Sequence, residues 1–308
     1  LINTLIKNIL MTIMKSIMYH YIRNKNKLFP NFNLLEKKEY IDQVKKFSKF
    51  GFVSSYKELF ISSSNFLLTF DDAFKDHIFA AEILKKHNAI GIFFVPTSPL
   101  RYNLMLDVHK THLILGKVKS LEALNELKKY LEKKNLDSFF NKNEKKKYKL
   151  AYKNQQEDFG KKKFKKIMNY YGDLKLKNKI LDYLLEKFEI KVKPSDYYLN
   201  EKEIKYLSSL GMIVGSHTSS HTLLSRLSYT DQFKELNESK IFLEKITNKN
   251  VETFCYPYGG KDSYNSNTLK ILKKLKYKLA YSVEYRDISI KDIQNNPYEL
   301  PRYDCNLF

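Results

Sequence analysis

Cysteine is scarce in this chain. Its 308 residues include two, Cys255 and Cys305, which lie far apart and form no CxxC pair. That excludes a disulfide framework and a thiolate zinc site, and it fits a reducing compartment. Arginine is scarce as well, occurring only as Arg23, Arg101, Arg226, Arg286 and Arg302, so the formal net charge of +21 is a lysine charge. Nucleic-acid readers place arginine where bidentate contacts to bases or phosphates are needed. The composition therefore argues against a nucleic-acid partner. It leaves genome-wide bias as the simpler source of the lysines, and peripheral contact with an anionic membrane or glycan as the second. Long apolar runs are missing too: the N-terminal stretch LINTLIKNILMTIMKSIMYHYIR is broken by Lys7 and Lys15, and its pieces are too short to span a bilayer. No small-residue cleavage site follows it, so the expectation is a cytoplasmic protein, free or resting on the inner membrane, with an anchored form as the alternative. The chain begins with Leu1, which leaves Met11 or Met14 as candidate natural starts. There is no internal repeat and no Gly/Ser linker, and the oligomeric state is left open.

What the chain does contain is enough apolar material, 43% hydrophobic and 14% aromatic, for a substantial core. Short apolar runs at 16–22, 66–70, 89–95, 212–215, 251–256 and 278–283 read as strands. Between them, 76–87, 201–210, 231–246 and 266–275 repeat their apolar residues with a period near 3.6, as helices do. Alternation of this kind builds a parallel α/β sheet, open or barrel-like. One stretch, at about 117–193, breaks the rhythm: it is lysine-rich and helical in pattern with no strand, and it reads as an insertion after the third strand of a single domain spanning 1–308.

Two of the seven histidines stand four positions apart in GSHTSSHT, as His217 and His221. A helical turn over 217–221 would put both rings on one face, within reach of one metal ion. A hydrolytic site needs a third ligand, often a carboxylate, and an open position for water. An acid of that kind follows the second strand in LLTFDDAFKDH, where Asp71 and Asp72 end an apolar run at the strand edge that wound sheets and barrels use for chemistry. Adjacent carboxylates there repel one another and are partly desolvated, so a cation is expected nearby.

TFDD after one strand, HTSSH after another and FCYPYGG after a third, in that order, resemble the NodB-type polysaccharide deacetylases, carbohydrate esterase family four. The resemblance runs from MYHYIR near residue 20 to LPRYDCN at the end, outside the helical insertion. It implies a distorted, incomplete (β/α) barrel. It also implies that Asp72, His217 and His221 ligate a divalent ion, zinc by preference, that Asp71 is the general base, and that the backbone N–H of Tyr258 helps form an oxyanion hole. The activity implied is metal-dependent removal of an N-acetyl or O-acetyl group from a sugar or glycan in surface polysaccharide biosynthesis. An N-acetylated carbohydrate would be the substrate.

This sequence departs from the family pattern in three places. Ala73 replaces the glycine that usually follows TFDD. Cys255 stands where many members carry an arginine, so the partner of the base is absent or comes from elsewhere, with Arg302 in LPRYD as a candidate. No histidine follows His221, so the usual C-terminal general acid is missing. Its replacement is sought in His20, at the end of the first strand, and in His109 or His112 of LDVHKTHLILG, oriented by Asp107 or Asp304. His77 and His87 read as structural or surface residues. The missing histidine and Ala73 motivate an alternative, a catalytically weakened carbohydrate-binding protein on this fold. A non-haem iron oxygenase would use similar ligands, but on a β-sandwich that the strand–helix alternation excludes.

Overall fold

The structure, a computed structural model, describes residues 14–61, 65–136, 139–149, 151–152 and 157–308. The apolar stretch before Met14, and with it the choice of natural start, lies outside the described residues. The chain forms two compact units: Leu1–Asn24, Leu35–Asn103 and Ser195–Phe308 make the first, Lys25–Leu34 and Leu104–Pro194 the second. The insertion expected at about 117–193 is thus part of a larger body, which starts at Leu104 and takes in a segment from near the N-terminus.

The first unit is built on seven parallel strands: β1 (Lys15–Tyr19), β2 (Phe66–Asp71), β3 (Gly91–Val95), β4 (Ile213–Ser216), β5 (Thr253–Cys255), β6 (Leu279–Tyr281) and β7 (Tyr303–Asp304). Their order is β6-β5-β4-β3-β2-β1-β7. Six of them sit where the apolar runs predict. β7 does not announce itself, because two residues of LPRYD are too few to show a period. The segment leading into it joins the two edges of the sheet: Leu300 bridges Tyr281 of β6, and Tyr303 pairs with Ile17 of β1. The sheet therefore curls into an incomplete (β/α) barrel.

Alternation along the strands sorts side chains between the two faces. Leu68, Phe70, Phe93 and Val95 enter the core that also contains Ala80, Leu84, Ile204, Leu207 and Leu236 from the covering helices, whereas Leu67, Ile92, Phe94, Cys255, Leu279 and Tyr281 belong to a second buried cluster. Thr69 and Asp71 have the parity of Leu67, so the strand sends a carboxylate to the interior face. Gly215 is required on β4: a Cβ there would meet Phe94 at 2.5 Å and Thr253 at 2.6 Å.

The second unit is helical. Its main elements are Asp107–Lys117, Ser120–Lys133, Phe159–Lys166 and Leu174–Lys187, which bury Leu113, Leu127, Phe164, Ile180 and Leu184. Asp158 and Asp173 cap the last two through backbone N–H groups. A buried Lys165–Glu157 pair at 2.8 Å adds a polar tie. Among the described residues no helix is long and apolar enough to cross a membrane.

Candidate metal centre and active site

Three buried side chains converge beyond the strand ends. His221 Nε2 lies 3.4 Å and His217 Nε2 3.6 Å from the same oxygen of Asp72, Oδ1. One ligand atom from each of the three lies within 4.8 Å of the others. A tetrahedral ion bound at about 2.0–2.2 Å sets its ligands roughly 3.2–3.6 Å apart, so the donors have the right kind and spacing for one. The proton positions agree. His217 Nδ1 lies 2.8 Å from the carbonyl oxygen of Cys255, which can only accept, so Nδ1 carries the proton and Nε2 turns its lone pair inward. Burial pushes the His217 imidazole below its ordinary value, against the pull of Asp71 and Asp72, and so favours the neutral ligating form.

The helical turn expected over 217–221 is not there. β4 ends at Ser216, and the following loop has left-handed backbone at Thr218 (φ 63°) and His221 (φ 54°). Side-chain hydrogen bonds outcompete a helix here. The Glu235 carboxylate, on helix Tyr229–Thr247, accepts from Ser219 N at 2.9 Å, Ser220 N at 2.8 Å and Ser220 Oγ at 2.7 Å. Thr218 Oγ1 accepts from His221 N at 3.0 Å. The rings still meet, with centroids 4.8 Å apart. Left-handed residues also follow β2, at Asp72 (φ 82°) and Ala73 (φ 54°). Such conformations cost of order 1–3 kcal/mol each and persist where the surroundings impose them. Ala73 is fully buried, so the Cβ that replaces the family's glycine is accommodated.

The cation that compensates the carboxylates is Arg302. Fully buried, it donates from Nη1 to Asp71 Oδ1 at 2.8 Å and from Nη2 to Asp71 Oδ2 at 2.9 Å. It also donates to Thr69 Oγ1, to the carbonyl of Ser282 and to Cys255 Sγ. Burial alone would raise the Asp71 carboxyl, but the Arg302 guanidinium, with His217 and His20, holds it below the usual carboxylate range. Burial pushes the Cys255 thiol up, so it remains neutral beside this pair.

His20 is half-exposed, with Nε2 4.0 Å from Asp71 Oδ2 and 3.9 Å from Asp72 Oδ2. Its carbonyl accepts a hydrogen bond from buried His77; His87 is exposed. The ring of Tyr258 lies 5.1 Å from that of His221. The turn carrying it is left-handed at Tyr258 (φ 66°) and Gly259 (φ 67°), and a Cβ on Gly259 would come within 2.3 Å of Val283. His109 lies in the second unit, buried on Asp107–Lys117 with its ring 5.9 Å from that of His112. Of the two acids expected to orient a histidine, Asp107 pairs with Lys177 at 3.1 Å, and Asp304 accepts from Asn306.

Residues 175–280 match the sequence model of the family described as "Polysaccharide deacetylase". The chain is a relative of the polysaccharide deacetylases. The matched stretch contains His217, His221 and the Tyr258 turn; Asp71 and Asp72 lie before it. A Bacillus subtilis (strain 168) protein, YxkH, named as a candidate polysaccharide deacetylase, is 28% identical over 88 residues, a match spanning 29% of this chain and 30% of that protein. In fold, the deacetylase PplD of Streptococcus pyogenes, solved in complex with acetate, superposes with a TM-score of 0.59 at 20% identity over 95% of this chain and 92% of that one. IcaB of Ammonifex degensii does so with a TM-score of 0.54 at 13% identity, over 94% and 90%. The barrel is thus of the polysaccharide deacetylase type.

Proposed function

We propose that this polysaccharide deacetylase relative is a metal-dependent hydrolase that removes an acetyl group, N-linked by preference, from a sugar of a surface polysaccharide. The observation carrying the reading is the juxtaposition of Asp72, His217 and His221 with an Asp71 carboxylate gripped by Arg302. Asp72 Oδ1 and the two Nε2 atoms would hold a divalent ion, zinc by preference. Bound there, such an ion supplies a Lewis acid for the acetyl carbonyl and lowers the pKa of water. Asp71, kept ionised by Arg302, takes the proton from the attacking water. The Tyr258 N–H donates to the oxygen on which negative charge develops, a contribution of about 3 kcal/mol for one well-placed donor. The C–N bond breaks as the nitrogen gains a proton, and His20 Nε2 is the donor. It stands beside both carboxylates at a partly open position, the place for a group that must exchange protons with solvent.

The test joins metal content and acetate release on one sample, using N-acetylated sugars and chito-oligosaccharides. Wild type should carry about one ion per chain. His217→Ala should lose both the ion and turnover. Asp71→Asn should keep the ion and lose turnover by about 10²–10⁴-fold, the range for a general base. An unchanged rate in Asp71→Asn removes it as the base. Metal without acetate release from any substrate would favour the carbohydrate-binding alternative.

A further inference from the structure

The lysines are unevenly shared. The second unit holds about a third of the residues, about two thirds of the net charge of +21 and no arginine. A genome-wide bias would act on both units alike, so the difference has a local cause.

That cause is sought where the unit also exposes apolar side chains. The starts of helices Ser120–Lys133 and Phe159–Lys166 are tied together, because the Asp158 carboxylate caps Lys161 N at 2.8 Å and accepts from Ser120 Oγ at 2.7 Å. Gly160 sits directly on Ser120, where a Cβ would come within 2.3 Å of Oγ. Each member of the bonded pair has an exposed apolar neighbour in sequence: Leu121, 64% exposed, follows Ser120, and Phe159, 76% exposed, follows Asp158. Lys161 Nζ then donates to the Asn31 carbonyl at 2.9 Å and to Asn33 Oδ1 at 3.1 Å. These bonds fasten to the same end the segment Lys25–Leu34, whose Leu28 is 62% exposed. Lys119, Lys161, Lys162 and Lys163 flank the two helix starts in sequence, and Lys163 Nζ lies 5.8 Å from the centre of the Phe159 ring.

Single exposed apolar residues are ordinary. Leucine and phenylalanine at two helix starts that a hydrogen bond ties together, with lysines beside them in sequence, are not, and the two chemistries have one common partner. A polyanion in solution would use the lysines and leave the apolar side chains in water. An anionic bilayer uses both, with ammonium groups at the lipid phosphates and apolar side chains below them. We propose that this end of the second unit docks the protein on an anionic lipid bilayer, with Phe159 and Leu121 entering the headgroup region and the lysines holding the surface. The inference does not depend on the hydrolase reading.

The full chain is sedimented with vesicles of phosphatidylcholine alone and of phosphatidylcholine with phosphatidylglycerol, at low and high salt, with and without soluble polyphosphate. Binding is expected only to the anionic vesicles and should weaken with salt as screening tightens. Each of Lys162→Gln and Lys163→Gln should cost about fivefold, and Leu121→Ser with Phe159→Ser about tenfold. The chain has no tryptophan, so Phe159→Trp supplies a single reporter whose emission should shift to the blue on anionic vesicles alone. Equal binding to neutral vesicles overturns the proposal. So does vesicle binding that survives the double serine variant and is abolished by polyphosphate, which would make the patch a polyanion site. An unshifted tryptophan on bound vesicles overturns it as well.

Discussion

Asp71 is a buried carboxylate whose charge is sustained by one distant residue. Arg302 meets both of its oxygens, and removing one partner of such a pair leaves an uncompensated buried charge, at a cost of about 3–5 kcal/mol. The pair also sets the response to pH. In the fold the Asp71 carboxyl sits below its ordinary value, whereas in the unfolded chain it returns to it. Its stabilising contribution is therefore complete above the ordinary carboxylate range, and it is lost as pH falls through that range towards the folded value. The same sign governs activity. In Arg302→Gln, the largest influence opposing burial at Asp71 is gone and only His217 and His20 still oppose it, so its pKa rises, and the acid limb of the kcat/KM profile should move to higher pH, with a larger loss in kcat than in KM. A limb that stays in place while stability drops would make Arg302 a structural residue only. A second residue with a sharp requirement is Gly259, where left-handed backbone and a 2.3 Å approach to Val283 coincide. Gly259→Ala should cost about 1–3 kcal/mol, read by denaturant unfolding, and should slow turnover by displacing the Tyr258 N–H.

The loop after β4 shows what can be read from spacing and what cannot. Four positions between His217 and His221 suffice to place both rings together, but the device is a braced loop rather than a helical turn. Its brace, Glu235, stands on an amphipathic helix among other charged residues, and no local signal separates it from a solvated glutamate. In the fold its carboxylate holds three donors of the loop. Glu235→Ala should therefore weaken zinc binding by about 10–100-fold, the usual cost of losing an outer support. Isothermal titration would measure it, with far-UV circular dichroism unchanged. Undiminished affinity would mean that the loop holds its shape without the brace. The strands were legible for a simpler reason: buried parallel strands need uninterrupted apolar runs, and six of the seven have them. β7 is too short, and its importance lies in carrying the chain past Arg302, whose role depends on closure of the barrel edge. Asp71 and Asp72 were legible because two acids directly after a buried strand demand an explanation, whereas the role of Cys255, accepting His217 Nδ1 through its carbonyl, is a backbone contact that no side-chain pattern encodes.

At the scale of the whole molecule, the candidate ligands all belong to the first unit, and they come from loops after β2 and β4, far apart in sequence. An ion bound by Asp72, His217 and His221 would cross-link two loops that left-handed backbone at four of their residues already strains. The unfolded chain does not hold these three groups together, so binding is linked to folding. At a free metal concentration about one hundred times Kd, the linkage amounts to about 2.7 kcal/mol. For a body of roughly 200 residues, each kcal/mol moves Tm by about 2–4 °C, so zinc should raise the melting of the first unit by several degrees. Calorimetry with and without zinc would read it directly. The shift should vanish in His217→Ala, which removes a ligand, and survive in Asp71→Asn, which removes only the base. That pairing separates the metal from the chemistry, because a shift lost in both variants would mean that Asp71 is part of the ligand set. A shift kept in His217→Ala would mean that zinc binds elsewhere, among the many lysines' acidic neighbours, and that two histidines four positions apart serve only the packing of a loop.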